Sequence, residues 1–404
     1  MAILPYINMI FGWDYDRYYI IINYMKLAVF SDAFLPQVNG MVSHLLETLP
    51  LLSNKHQILL VVPRPRSKID LLTELKNIEI VYLSGIPSYI YKDWQITLPF
   101  SPYIQKKVSQ FKPNIIHFHG PLTVSLNGLI FANQKHIPCV GSFHGYFMEP
   151  EYLKIVGLDK FGLHKSKLLN KLLWKYSNIV YNRTNTIICP SEATKKDLID
   201  HGHNKPVVVI SNGINLHQKK ELKIKYKLPQ NYFLHVGRLS KEKNIEILIE
   251  AIKKTDKKIN LLIVGDGPIK TTLEKMVMNK GLSKRIIFLG MIPYTQLPSS
   301  NIYKNAIAFI TTSTSETQGI TILEAMREGL PIIGVNAKAL PELIVNNGIL
   351  CDPDNIDQIS KSMVLLNEDK EMRQRYAGNS LLNVKKHNVS NTVRKLESVY
   401  NSLI

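Results

Sequence analysis

The stretch Ala306–Arg327, AIAFITTSTSETQGITILEAMR, decides how this chain is read. Its first five residues, Ala306-Ile-Ala-Phe-Ile310, are apolar throughout, the pattern of a strand buried on both faces. Past Gly319 the period changes, and Ile322, Leu323 and Met326 fall on one side of a helix. The segment therefore predicts strand, polar loop, helix. Glu316 belongs to the loop and Glu324, eight positions later, to about the second turn of the helix. The amides of Gly319, Ile320 and Thr321 open that helix, where the positive end of the helix dipole favours an anion such as a diphosphate. A carboxylate on either side suits the hydroxyls of a sugar and a ribose. Two solvated acids would look the same in isolation, so the rest of the chain has to decide.

Working outward, the same alternation fills the chain. Apolar runs at Tyr232–Gly237, Asn260–Gly265, Ile286–Leu289, Ile307–Thr311, Pro331–Val335 and Ile349–Cys351 are separated by amphipathic stretches. An earlier series has strands at Lys26–Ser31, Gln57–Val62, Ile78–Leu83, Ile115–His119, Cys139–His144, Thr186–Pro190 and Val207–Ser211. Between the first two runs, Asp32–Gly40 carries Pro and Asn-Gly turn signals and Met41–Ser53 is an amphipathic helix. Strand–helix alternation of this kind implies parallel sheets covered by helices. A polar, Lys-rich connection, Asn215–Gln230, separates the series. The expected architecture is α/β: two doubly wound, Rossmann-like domains, 25–211 and 212–387, facing each other across a cleft. The tail predicts one more helix with Val393, Leu396, Val399 and Tyr400 on a stripe.

Ligands of open α/β sheets bind beyond the carboxyl ends of the strands. In the first half these positions hold Asn39-Gly40, where a backbone can approach closely, and the histidines His117, His119 and His144. A single histidine there is as readily a hydrogen-bonded core residue. The His-x-His pair shares one face of a strand, but no third ligand has a recognisable spacing, so no metal site is expected. In the second half, Arg238 and Lys243 flank a helix start after a strand, a suitable place for two cations on a diphosphate. Val264-Gly-Asp266-Gly-Pro268 is not a G-x-G-x-x-G loop and reads as a turn in which Pro268 starts a helix. Gly290-Met-Ile292-Pro293 offers backbone groups to a nucleotide base. Asp14-Tyr-Asp16 and Asp352-Pro-Asp354 are rejected as metal sites, the second as a turn and helix cap.

Composition narrows the function classes. The 404 residues carry a net charge of +18, spread evenly over both halves and mostly lysine. With no arginine-rich block or RNA-binding signature, nucleic-acid binding has only bulk charge behind it. Cys139, Cys189 and Cys351 stand far apart in apolar surroundings and form neither a disulfide framework nor a metal spacing, which fits a reducing compartment. No apolar run reaches the roughly 18–20 residues that span a bilayer. Residues 1–24 are aromatic and apolar but broken by Asp14, Asp16 and Arg17, and lack the marks of a signal peptide. They are expected to be an extension outside the fold, with a membrane-surface anchor as the alternative. Walker A, HExxH and GxSxG motifs are absent.

Taken together, FSDAFLPQVNGMVSHL, PNIIHFHGP, GSFHGYF, ICPSEATKKDL, VISNGI, VGRLSKEKNIEILIEA, IVGDGP, FLGMI and SETQGITILEAMREGLPII resemble glycosyltransferase family 4. These are retaining sugar transferases of the GT-B fold, and the last piece holds their E-x7-E pattern. The resemblance runs from Met25 to Ile404. It implies that Glu324 binds the ribose of a UDP- or GDP-linked sugar and Glu316 its hexose. Gly319, Ile320, Thr321, Arg238, Lys243 and Gly40 would hold the diphosphate, Ile292 would lie at the base, and His144 would stand near the reacting carbon. Glu316 and His144 are thus the expected catalytic residues. No cofactor or metal is implied, and the tail helix, 388–404, would cross back onto the first domain.

The N-terminal pieces look most like the branch that glycosylates membrane lipids. In Leu163–Tyr176, Leu168, Leu169, Leu172, Leu173 and Tyr176 form an apolar stripe with lysines elsewhere, which suits an anionic membrane surface as well as an ordinary packed helix. The expected function is hexose transfer from a nucleotide sugar to a membrane lipid or lipid-linked glycan, in the cytoplasm or on the cytoplasmic face of a membrane. A soluble or polysaccharide acceptor, or an inactive sugar-nucleotide-binding scaffold, are the alternatives.

Overall fold

The strands alternate residues between two buried faces, which is why they are apolar almost throughout. In β1 (Lys26–Ser31), Ala28 and Phe30 enter one core cluster while Leu27 and Val29 enter another. The computed structural model describes residues 24–37, 39–65, 76–87, 95–150, 153, 158, 162–217, 228–292, 296–297 and 300–404. The expected N-terminal extension (except Tyr24), Asp14-Tyr-Asp16 and Pro293 fall outside them.

The first sheet contains β1, β2 (Gln57–Pro63), β3 (Ile78–Leu83), β6 (Ile115–His119), β7 (Cys139–Ser142), β8 (Thr186–Cys189) and β9 (Val207–Val209). Its order is β3-β2-β1-β6-β7-β8-β9, every pair parallel. The second contains β10 (Tyr232–Val236), β11 (Asn260–Val264), β12 (Ile286–Gly290), β13 (Ala308–Ile310), β14 (Ile332–Val335) and β15 (Gly348–Cys351). Its order is β12-β11-β10-β13-β14-β15, again all parallel. The strand order reverses between β1 and β6 in one sheet and between β10 and β13 in the other. Those are the points where an open α/β sheet leaves a crevice at its carboxyl edge. Two doubly wound, Rossmann-like halves are therefore present, as expected.

Seven helices matter below: α1 (Gly40–Ser53), α2 (Thr123–Lys135), α3 (Lys167–Tyr181), α4 (Glu192–Asp200), α5 (Ile245–Lys253), α6 (Ile320–Arg327) and α7 (Val389–Asn401). Helix α7 belongs by sequence to the end of the second half, yet it packs on the first. Val393, Leu396 and Tyr400 share a core cluster with Val29, Leu45 and Leu49. The chain returns beside its own outward crossing, where Ile214 donates to His387 and Val389 donates to Ile214. Gly213 sits at φ +80° there, and a Cβ on it would lie 2.7 Å from Thr392 Oγ1.

Several boundaries differ from the expected ones. Strand β7 ends at Ser142, which leaves His144 in the loop beyond it. Pro268 does not start a helix: the next helix begins at Lys270, after a turn closed by Lys270 N donating to Gly267 O. A short antiparallel hairpin, β4 (Gly85–Pro87) with β5 (Gln95–Thr97), was not expected, because three-residue strands are too short to show a period. Asp352–Asp354 forms a turn, but Asn355 caps the helix that follows.

Candidate functional site

Glu316 lies between β13 and α6, as the sequence predicts. Gly319 makes the turn into α6 at φ +92°, a backbone conformation that favours glycine, and a Cβ on it would lie 2.8 Å from Ile322 Cδ1. From Ile320 onward the chain is helical, so the amides of Gly319, Ile320 and Thr321 stand at a helix N-terminus with no acidic residue in the first turn. Glu324 is buried one turn in, 4 % exposed, and accepts a 2.6 Å hydrogen bond from the Tyr303 hydroxyl. Burial raises its carboxyl above the usual range, against the lowering effect of that hydrogen bond.

Lys243 reaches the same loop. Its ammonium meets Glu316 Oε1 at 2.5 Å, both side chains half-buried. Burial alone would raise the Glu316 carboxyl, but the Lys243 charge and hydrogen bond bring it below its ordinary value. The pair is held from behind, where Thr312 Oγ1 donates to the carbonyls of Lys243 and Asn244 just before α5. In this structure Lys243 is thus committed to Glu316, the residue expected to touch the hexose. Arg238 lies in the same connection after β10. Two glycines allow that loop its position. A Cβ on Gly265 would lie 1.9 Å from Gly237 O, and one on Gly267 would lie 2.3 Å from Leu239 O. Leu239 N donates to Asp266 O across this contact. The Val264–Pro268 segment therefore supports the Arg238 loop. Ile292 is 6 % exposed, its side chain in the core, so only its backbone is left to face a base.

The other wall comes from the first sheet. Gly40 opens α1 under the cap of Asn39, whose side chain accepts from Val42 N. Its Cα faces α6: a Cβ there would lie 3.8 Å from Ile320 Cδ1. Buried Asp32, at the end of β1, accepts from the amides of Leu122, Val124 and Ser125 and so anchors the start of α2. Burial raises Asp32 to about 6 despite those bonds. The His144 carbonyl accepts from Thr317 Oγ1 at 3.0 Å, so the loop bearing Glu316 rests on the loop bearing His144. Gln318 extends the contact, accepting from Asn212 N and donating to Ser211 Oγ, each at 2.8 Å.

His144 does not stand alone. Its Nε2 is 2.8 Å from His119 Nδ1, and the two rings stack with centroids 5.1 Å apart. His44, on α1, packs against both, with centroids 5.2 Å from His144 and 5.5 Å from His119. His117 packs on His119, with centroids 4.2 Å apart, but its nitrogens are bonded to Tyr400 Oη and Ser142 Oγ. Sequence spacing offered no third ligand beside the His-x-His pair; in space it is His119 alone of that pair that gathers with His44 and His144. His44 and His144 come from separate elements, which linear spacing does not reveal. Burial is the first cause that lowers all four: His44 to about 4, His117 to about 3, and His119 and His144 well below 6.5. They are neutral imidazoles at pH 7.

The arrangement is a helix N-terminus with cations and a carboxylate on one wall, and a glycine-opened helix and a histidine on the other. Two family profiles match the chain. Residues 38–218 match the profile described as Glycosyltransferase Family 4, and residues 217–381 match Glycosyl transferases group 1. The chain belongs to the GT-B glycosyltransferases. The alpha-monoglucosyldiacylglycerol synthase of Acholeplasma laidlawii is 26% identical over 403 residues, covering 94% of this chain and 98% of the relative. A Streptococcus pneumoniae protein of the same name is 26% identical over 79% of this chain and 73% of its own length. The crystal structure of Anabaena HepE in complex with UDP and glucose shares the fold, with a TM-score of 0.72 at 20% identity over 94% of this chain and 100% of that one. Among the described residues of this glycosyltransferase, no helix is long and apolar enough to cross a membrane.

Sequence reading missed His44, Asn212, Tyr303 and Gln318. Only Gln318 had a usable signal, its place inside the E-x7-E stretch.

Proposed function

We propose that this glycosyltransferase moves a hexose from a UDP- or GDP-linked sugar to a membrane lipid or lipid-linked glycan, with retention and without a metal. The observation that carries the reading is the hydrogen bond from Thr317 to the His144 carbonyl. It brings the start of α6, Lys243 and Glu316 against His144, leaving the donor's diphosphate and the reacting carbon a common place. In this reading 212–387 holds the donor, and 25–211 with 388–404 holds the acceptor.

Glu324 takes the ribose hydroxyls. The amides of Gly319, Ile320 and Thr321, with Arg238 and Lys243, take the diphosphate, and Gly40 admits it from the opposite wall. As the bond to the sugar breaks, negative charge grows on the leaving phosphate, where fixed amides and cations stabilise it most. Lys243 exchanges part of its contact with Glu316 for the phosphate, and Glu316 turns to the hexose hydroxyls. The acceptor hydroxyl attacks from the face the phosphate leaves, and its proton passes to that phosphate. This route needs no second carboxylate as nucleophile, unlike that of a retaining hydrolase, whose acid and nucleophile stand about 5–5.5 Å apart. Neutral His144 contacts the sugar beside its reacting carbon.

The lipid acceptor has two supports. One is the similarity, over almost the whole chain, to a protein named for glucosyldiacylglycerol synthesis. The other is α3, whose stripe divides in the structure. Trp174, Ser177 and Tyr181 face the core, while Leu168 and Leu172 stand 68% and 52% exposed among Lys167, Lys171 and Lys175. An exposed apolar ridge flanked by lysines suits the boundary of an anionic membrane. The protein then works as a peripheral enzyme on the cytoplasmic face.

The test is a transfer screen of UDP-, GDP- and ADP-sugars with vesicles of diacylglycerol and anionic phospholipid. Transfer to lipid from one donor is expected, and no turnover with any donor defeats the transferase reading. Glu324→Ala should raise the donor KM by roughly 10- to 100-fold, the value of a hydrogen bond to a charged group. His144→Ala should mainly lower kcat, by about 100-fold. Full activity in both variants would show the site to be misassigned.

A further inference from the structure

The histidine cluster holds more than the transfer reaction uses. One ring nitrogen from each of His44, His119 and His144 lies within 4.8 Å of the other two. They come from α1, the end of β6 and the loop after β7, so three separate elements converge on one point. His44 and His119 are 4% and 2% exposed, and His144 is half-buried toward the cleft. We propose that His44, His119 and His144 form a binding site for a transition-metal dication such as zinc, distinct from the diphosphate site and able to withdraw His144 from the reacting sugar.

Three features favour a metal over a merely packed cluster. First, His44 gives its Nδ1–H to the Asn212 carbonyl at 2.7 Å. A metal-binding imidazole is ordinarily held in this way, because the bond fixes the tautomer and the ring plane. Second, the facing nitrogens His144 Nε2 and His119 Nδ1 meet at 2.8 Å inside the cluster, where an ion would take the place of their mutual hydrogen bond. Third, the spacing is close to what zinc needs. Four tetrahedral ligands at roughly 2.0–2.1 Å from the ion leave their nitrogens about 3.3 Å apart. The His119–His144 pair at 2.8 Å has to open slightly and the wider spacings, up to 4.8 Å, have to close. His144 sits on a loop and can supply the movement.

The donor set also decides the kind of metal. Neutral imidazoles without a carboxylate suit zinc, copper or nickel and give little to magnesium or calcium, which prefer oxygen. Three protein ligands leave a fourth position open to water on the cleft side. His117 is not a ligand, since both its nitrogens are already bonded. The consequence for catalysis rests on the role proposed above for His144; the site itself does not.

The experiment titrates zinc into the metal-free full-length protein against a chromophoric chelator and repeats it with His44→Asn and His119→Asn. One equivalent should bind to the wild type. Each variant should lose at least the roughly 10- to 100-fold in affinity that follows removal of a mere supporting partner of a ligand. Excess magnesium should not compete. Cobalt(II) in the wild-type protein should give the visible absorption of a tetrahedral nitrogen site, a readout that does not depend on the variants folding. No stoichiometric zinc, or equal affinity in all three proteins, overturns the proposal and assigns any binding to surface histidines. Zinc should also inhibit transfer, reversibly on chelation, in the wild type and not in His44→Asn. Site-specific binding without inhibition would leave the metal site standing and remove His144 from the reaction.

Discussion

His235 is committed at one ring nitrogen only. It lies on β10, 1% exposed, with Nδ1 donating to the Ile310 carbonyl at 3.0 Å and Nε2 without a partner. Its ring packs beneath the loop that carries Arg238: a Cβ on Gly237 would lie 3.4 Å from Nε2. Burial lowers it from 6.5 to about 4, opposed by the Ile310 bond. The pH consequence has a definite sign. As pH falls through 6.5 the unfolded chain takes up a proton that the folded chain refuses until about 4. The stability contribution is therefore complete above 6.5 and is lost between there and about 4, at up to about 1.4 kcal/mol per pH unit. In His235→Asn, which keeps an N–H for Ile310, denaturant unfolding followed across that window should lose one proton's worth of slope. An unchanged slope would mean that His235 titrates normally in the folded protein. At this scale the two carboxylates were legible because a strand, a glycine turn and a helix frame them. His235 was not, because one histidine on an apolar strand reads as core until its unmet nitrogen is seen.

Helix α7 carries the argument at the scale of elements. Its inward stripe was readable from Val393, Leu396 and Tyr400, since a period of 3.6 survives any tertiary context. The surface it covers became readable only through the resemblance, because nothing in the stripe names its partner. The structure adds polar ties at the far end. The Tyr400 hydroxyl meets His117 Nδ1 at 2.6 Å, and Glu397 lies 3.2 Å from Lys55 and 3.3 Å from His56. Apolar packing should dominate. Leu396→Ala, at a position 1% exposed, should cost about 2–5 kcal/mol by denaturant unfolding. Tyr400→Phe should cost less, about 1–3 kcal/mol, for the buried nitrogen left unpaired on His117. A Leu396→Ala cost below about 1 kcal/mol would mean that α7 is only loosely attached, against the range for such truncations. The outer face of α3 shows the opposite limit of legibility. Its leucines and lysines were plain, but which leucines face outward depends on how Trp174 anchors the helix.

For the whole molecule, the cleft is closed by contacts that no motif announced. Glu342 accepts from the amides of Glu192 at 3.0 Å and Ala193 at 2.6 Å, so a side chain of the second half caps α4 of the first. Lys338 lies 2.8 Å from Asp197 and 3.6 Å from Glu149, with its ammonium 4.5 Å from the centre of the Tyr146 ring. Such residues are invisible in sequence because each is an ordinary surface charge until the other half arrives. The two sheets were legible because most of their strands are apolar almost throughout. Their closure was not, because it is a relation between surfaces rather than a pattern within one. The latch has a size that can be argued. A helix cap is worth about 1 kcal/mol and a partly exposed ion pair up to about 1 kcal/mol. Together they bias the closed state by about 2 kcal/mol, which is roughly 30-fold in population. Replacing both, Lys338→Ala with Glu342→Ala, should enlarge the radius of gyration in solution scattering while leaving the far-ultraviolet circular dichroism unchanged. Because Thr317 meets His144 only when the halves meet, kcat/KM should fall by about tenfold or more, within that same shift. A double variant with the wild-type radius and the wild-type kcat/KM would show that the pairing of the two chain crossings at Ile214 and Asn388 holds the cleft shut without the latch.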